Sequence, residues 1–285
     1  MREDAIAMLS GWLARSIDPE SAAWLNASRD ALIQDESEQA LAIALGMIPR
    51  RLGKGRLGLT GTDLAAADHA IQGWRPSDWS VSDAARILLL SELAPAVKPF
   101  AMRFRSLCQT ADGAELVTLY RGLPLYPEPA ALQQQVGEGL RSNMRIVFES
   151  IAHNNPYPNA HLDLHPWNHM VLKALFIDSP LAPIQGLDQR ANAELARIMC
   201  DFAHERWAAG RPVPFEIWRC VGPFAQGAMV DDLARVLSSG DAIERRAGAL
   251  ALGASPDSRA AQVLQQAPDL AAELASGKLS WASLH

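Results

Sequence analysis

Five of the seven histidines, His153, His161, His165, His169 and His204, fall within one short stretch of this 285-residue chain. Imidazole titrates near neutral pH and is the commonest metal ligand, so a histidine cluster marks a candidate site. The stretch reads FESIAHNNPYPNAHLDLHPWNHMVLKALF and, after a loop, DFAHERWAAGRPVPFEIWRCVGPF. Three pairs stand at helical spacing: Glu149 with His153, His165 with His169, and Asp201 with His204. Residues three or four apart share a helix face, so each pair can present two groups to one point. Three readings follow. In the first, His165, His169, Asp201 and His204 hold a divalent transition metal, as carboxylate and histidine ligands do between helices. The second bridging carboxylate set of a di-metal centre is missing, and HERW lacks the second histidine of a zinc-protease motif.

In the second reading the polar residues are structural. His165 precedes Pro166 and would cap the next helix, His153-Asn154-Asn155-Pro156 would end a helix by bonding its free carbonyls, and His204 would be a core histidine bonded to Asn168 or to a backbone carbonyl. The third reading is a ligand pocket within residues 149–224. Its walls would be Tyr157, Trp167, Trp207, Trp218 and Phe224, and its polar groups His153, Asn155, Asn168, His169, Asp201, His204, Glu205, Arg206 and Arg211. No Ser-His-Asp order, reactive cysteine or glycine-rich phosphate loop is present, so nucleophilic catalysis and nucleotide binding have no specific support.

The elements that must carry these residues are helices. Ala, Leu, Glu, Gln and Arg recur at three- and four-residue spacing, and alternating strand patterns are missing. Asp18-Pro19-Glu20 reads as a cap followed by proline at the first helical position. Ser82-Asp83 opens another helix that stops at Pro95, and a single long helix is expected over 128–152. The sequence predicts an all-α chain, an irregular α-solenoid or α-α superhelix with HEAT-like helix pairs, forming one domain over 1–285. Within it, 1–145 is an N-terminal helical layer, 146–225 a His- and Trp-rich block, and 226–285 a run of short alanine-rich helices whose small residues allow close approach. The polar connection HNNPYPNAHLDLH interrupts this regularity, and its Tyr157, Leu162 and Leu164 predict that it is tied down.

Composition narrows the partners. The chain is 49% hydrophobic with a net charge of -6, enough for a packed core and without the basic run that binds a phosphate backbone; nucleic acid is not an expected partner. The one basic stretch, Pro49 to Arg56, reads as a solvated loop between helices. Cys108, Cys200 and Cys220 lack CxxC spacing and sit in apolar helical contexts, as reduced core thiols of a cytoplasmic protein. No apolar run is long enough to span a bilayer, and the charged N-terminus does not read as a signal peptide.

The strings HNNPYP, HPWNHMVLKALF, IQGLDQRANAELARIM, DFAHERWAAGRPV and WRCVGPF resemble the EboA family, the first component of the bacterial ebo operon, over about residues 145–225. The resemblance implies a cytoplasmic helical metabolite traffic protein. It would be encoded beside a UbiA-like prenyltransferase, a TatD-like hydrolase and sugar-isomerase-like enzymes that handle secondary-metabolite precursors. The expected function is therefore a non-enzymatic adaptor or carrier whose partners are a small metabolite and proteins of the same operon. The alternative is a metal-assisted enzyme acting on a prenylated or polyol-derived metabolite.

Overall fold

A computed structural model describes residues 2–34, 37–93 and 99–284. Among these residues every regular element is helical, with no strand, and only two isolated antiparallel bridges occur, Arg56 with Ser80 and His153 with Ile184. The fold is all-α, as the three- and four-residue spacing of its helix-forming residues predicts. The stop expected at Pro95 lies outside the described residues. The chain divides into two compact units: residues 1–167 with 183–185, and residues 168–182 with 186–285.

The first unit contains α1 (Arg2–Ser16), α2 (Pro19–Gln34), α3 (Glu38–Leu52), α4 (Gly61–Ala70), α5 (Val81–Ser91), α6 (Phe100–Thr110), α7 (Gly113–Arg121), α8 (Gln133–Arg141), α9 (Arg145–Ala152) and α10 (Tyr157–His161). It also holds the first turn of α11 (Leu164–Phe176). Helix α5 is the centre: it packs on α1, α3 and α7, and Ile87, Leu88 and Leu90 are wholly buried. Its start is fixed locally by a capping box, in which Asp83 donates its backbone N–H to the Ser80 hydroxyl and accepts the Ser80 N–H in return. The helix thus begins at Val81, one residue before the expected Ser82. Pro19 occupies the first position of α2 behind Asp18, which accepts the Ser21 N–H at 3.0 Å, as the sequence predicts.

Two local expectations are corrected by tertiary contacts. Pro49 does not open a loop: α3 continues through it to Leu52 and ends at Gly53, whose φ of 75° suits glycine. A proline cannot donate to the carbonyl four residues back. Here the Leu45 carbonyl accepts a 3.4 Å bond from Arg86 Nε instead, and Arg50 and Arg51 lie in the last turn, where the helix dipole favours cations. The long helix expected over 128–152 is broken at residues 142–144 into α8 and α9, which then pack on each other. Gly139 makes that fold-back possible, because a Cβ there would lie 2.5 Å from Ile151 of α9 and from the Tyr120 ring.

The second unit holds the remainder of α11 with α12 (Ala193–Ala208), α13 (Ile217–Val221), α14 (Ala228–Leu237), α15 (Ala242–Ala254), α16 (Ser258–Leu264) and α17 (Pro268–Ala275). Helix α15 packs on α13, α14, α16 and α17. Small residues set these distances: a Cβ on Gly222 would stand 2.8 Å from the Ala251 backbone, and one on Gly248 2.9 Å from the Leu237 backbone nitrogen. Each of α14 to α17 is too short to be stable alone, and burial against α15 supplies what propensity does not.

Candidate functional site

A cleft of about 480 Å³ opens in the first unit. Two helix faces and one loop build it. Helix α7 contributes Ala114, Val117 and Arg121, and α9 contributes Ile146, Glu149 and Ser150, with His153 at its C-cap. Both sets follow the three- and four-residue spacing of one helix face. The loop before α5 contributes Arg75, Asp78 and Trp79, and α5 itself contributes Asp83.

The loop backbone is held at several points. Gly73, at φ 84°, donates its N–H to Asp68, Arg75 N–H reaches the Asn154 carbonyl at 3.3 Å, and a turn closes from Trp79 N–H to the Pro76 carbonyl at 3.3 Å. Trp79 is also pinned by its ring, 5.8 Å from Trp74, which in turn lies 5.6 Å from Trp12. Asp83 is a hub, since beyond its capping role it accepts the Thr118 hydroxyl and lies 3.3 Å from Arg121, tying α5 to α7.

The other side is held through Asn154 and Asn155. Asn154 sits at φ 53°, the left-handed conformation that asparagine tolerates, and donates its N–H to the Pro183 carbonyl at 3.0 Å. Asn155 is 3% exposed, and its side chain makes three bonds to backbone. It donates to the carbonyls of Tyr120 and Ser150, at 3.0 and 3.1 Å, and accepts the Tyr157 N–H at 3.1 Å. Neither carbonyl has the usual donor four residues on, although the Gly122 N–H also reaches the Tyr120 carbonyl at the end of α7. The residue four beyond Tyr120 is Pro124, without an N–H, and the N–H four beyond Ser150 is that of Asn154, already bonded to Pro183. The expected helix-ending role of the HNNP segment is thus performed by Asn155. The connection 153–165 is ordered around it and includes α10, with Tyr157 and Leu162 buried and Leu164 exposed.

Other residues singled out by sequence have different surroundings. Trp167 is fully buried in the first unit, and His165 lies inside the first turn of α11 rather than at its cap, because the helix starts at Leu164. In the second unit Asn168 is 2% exposed and exchanges amide bonds with Asn192, the N-cap of α12, at 2.9 and 3.3 Å. His204 stands twelve residues further along α12, about 18 Å by helical rise, so it is not bonded to Asn168. It is an exposed residue: its Nε2 lies 2.8 Å from Asp232 of α14 and its ring 5.7 Å from that of Trp207. Trp207 also stacks on Trp218 at 5.8 Å and carries the Arg235 guanidinium 4.1 Å from its ring centre. Asp201 pairs with Arg197 at 2.7 Å. His169, Glu205 and Arg211 are exposed, and Arg206 bonds the Pro212 carbonyl while covering Phe202.

The expected metal set is not assembled: among the described residues no three His, Cys, Asp or Glu side chains gather to hold an ion. Helical spacing brought Asp201 and His204 onto one helix, but each found a partner of its own, Arg197 and Asp232. Cys108, Cys200 and Cys220 are buried free thiols, each pushed up to about 12 by burial. Sequence reasoning missed most of the cleft, including Arg75, Asp78, Trp79, Val117, Arg121 and Ile146. The spacing of Ala114, Val117 and Arg121, and the WRPSDW segment between helices, were the available signals.

The sequence model of the family described as metabolite traffic protein EboA matches residues 5–222. The chain belongs to the EboA family. The match is wider than the 145–225 stretch that carried the resemblance, and it takes in α1 to α13 and every residue of the cleft. Helices α14 to α17 follow the part matched to EboA. No curated protein and no solved structure matches the chain. No described helix is long and apolar enough to cross a membrane.

Proposed function

We propose that this EboA-family protein is a non-enzymatic carrier that holds a small metabolite in the cleft of its first unit, in the cytoplasm. The observation that carries the reading is a cleft with a locked backbone and unengaged polar side chains. Its volume, about 480 Å³, lies in the range that holds small ligands, and Trp79, Val117 and Ile146 give it apolar wall. Fixed loops reduce the ordering cost of binding, which is what a site needs and a mere surface dent does not. The family description, metabolite traffic, agrees with this use.

Carriage is favoured over catalysis by how the reactive groups of the cleft are engaged. The Ser150 hydroxyl donates to the Val147 carbonyl of its own helix at 2.7 Å, and Glu149 is held by Arg145 at 2.6 Å. The Ser150 hydroxyl is thus turned back on its own helix, and Glu149 is tied to a cation that neutralises it, which weakens each as a nucleophile or base. On this reading the cargo is a precursor of secondary metabolism and is handed to proteins encoded in the same operon.

Native mass spectrometry of protein purified gently from its host tests the proposal, comparing the natural protein with a Val117→Trp variant that fills the cleft. A small molecule that co-purifies with the first and is lost from the second, at unchanged helicity, is the expected result. Retention of the same molecule by Val117→Trp overturns the cleft assignment, and conversion of the molecule on incubation overturns the carrier reading.

A further inference from the structure

The charged groups of the cleft divide by whether the protein already uses them. Asp83 is occupied by Ser80, Thr118 and Arg121, and Glu149 by Arg145. What is left, among the described residues, is one cation and one anion: the Arg75 guanidinium and the Asp78 carboxylate make no hydrogen bond or ion pair. They are three residues apart on one wall, yet they are not joined. The reason is the backbone between them, fixed at Arg75 by the bond to Asn154 and at Asp78 by the turn that Pro76 and Trp79 close. The side-chain amide of Asn154, whose backbone N–H and carbonyl are both bonded, is a third unengaged group.

We infer that the cargo is a small amphoteric molecule whose anionic group meets Arg75 and whose cationic group meets Asp78, with an apolar substituent against Ile146 and Val117. This rests on the cleft being the binding site. Both side chains are exposed to solvent in the free protein, and a ligand of a single sign that covers them would leave one shielded from water without a partner, a cost that discriminates against it. A ligand with both signs pairs both, and a carboxylate suits the two-pronged guanidinium. Ile146, 56% exposed on the wall of the cleft, gives the substituent its apolar contact.

Three probes of similar shape test the inference: L-phenylalanine, 3-phenylpropanoate and 2-phenylethylamine, each titrated into the full-length protein at millimolar concentration and followed by ligand-observed NMR. Phenylalanine should bind saturably, and each singly charged probe about tenfold or more weaker. Arg75→Gln should reduce phenylalanine to the level of the amine, and Asp78→Asn to that of the carboxylate. Melting temperatures should not change, since neither side chain has a protein partner. A singly charged probe that binds as tightly as phenylalanine, absence of phenylalanine binding, or indifference to both substitutions overturns the inference. The two proposals fail separately: co-purified cargo that Val117→Trp releases but that bears no opposite charges sinks the amphoteric ligand alone, whereas cargo that Val117→Trp retains sinks the cleft.

Discussion

Replacing Asn155 by alanine should cost the protein about 3–5 kcal/mol. The figure follows from what the side chain does. It satisfies the carbonyls of Tyr120 and Ser150 and the N–H of Tyr157, all in a 3% exposed position. A buried group left without its partner costs about 1–3 kcal/mol, and the lower part of that range applies because water from the neighbouring cleft can reach some of the three. Asn155→Asp provides a pH test. Its carboxylate would face two carbonyl oxygens, so burial and repulsion raise its folded pKa above the usual value near 3.9. The folded state then binds more protons, and the variant's stability is greatest at acid pH and falls as pH rises through the folded pKa. Urea unfolding of both variants, followed by far-ultraviolet circular dichroism at several pH values, measures this. A loss under about 1 kcal/mol for Asn155→Ala, or an Asn155→Asp variant without that extra pH slope relative to the natural protein, would show that Asn155 does not hold the loop.

Other expectations are equally direct. His204→Gln should change stability by less than about 1 kcal/mol, because the pair with Asp232 is on an exposed histidine; denaturant melts that show a larger loss would place it in the core instead. Gly222→Ala should destabilise by about 1–3 kcal/mol, since the new methyl meets the Ala251 backbone at 2.8 Å and backbone cannot turn aside; calorimetry showing an unchanged transition would refute the close approach. The three cysteines should react with a thiol reagent at pH 8 only after unfolding, because burial and a pKa near 12 keep each as an inaccessible thiol. Fast labelling of even one in the native protein would contradict that packing.

Local chemistry was enough to read some of this molecule from its sequence. The cap at Asp18, the helical periodicity, the helix start near Ser82 and the tied-down 153–165 connection all depend on residues within one or two turns of each other. So does the shared face of Glu149 and His153, the one histidine-carboxylate pair that does line the cleft. The tertiary structure decided everything that depends on a distant partner. Pro49 stays within a helix because Arg86, far along the chain, supplies the missing donor. The Asn155 side chain bonds backbone from three places in the chain, the Tyr120 and Ser150 carbonyls and the Tyr157 N–H, which no local pattern foretells. His204 lies outside the core because Asp232 and Trp207 hold it at the surface. The cleft itself joins residues 75–83, 114–121 and 146–155, and no periodicity within one segment can register the closeness of three.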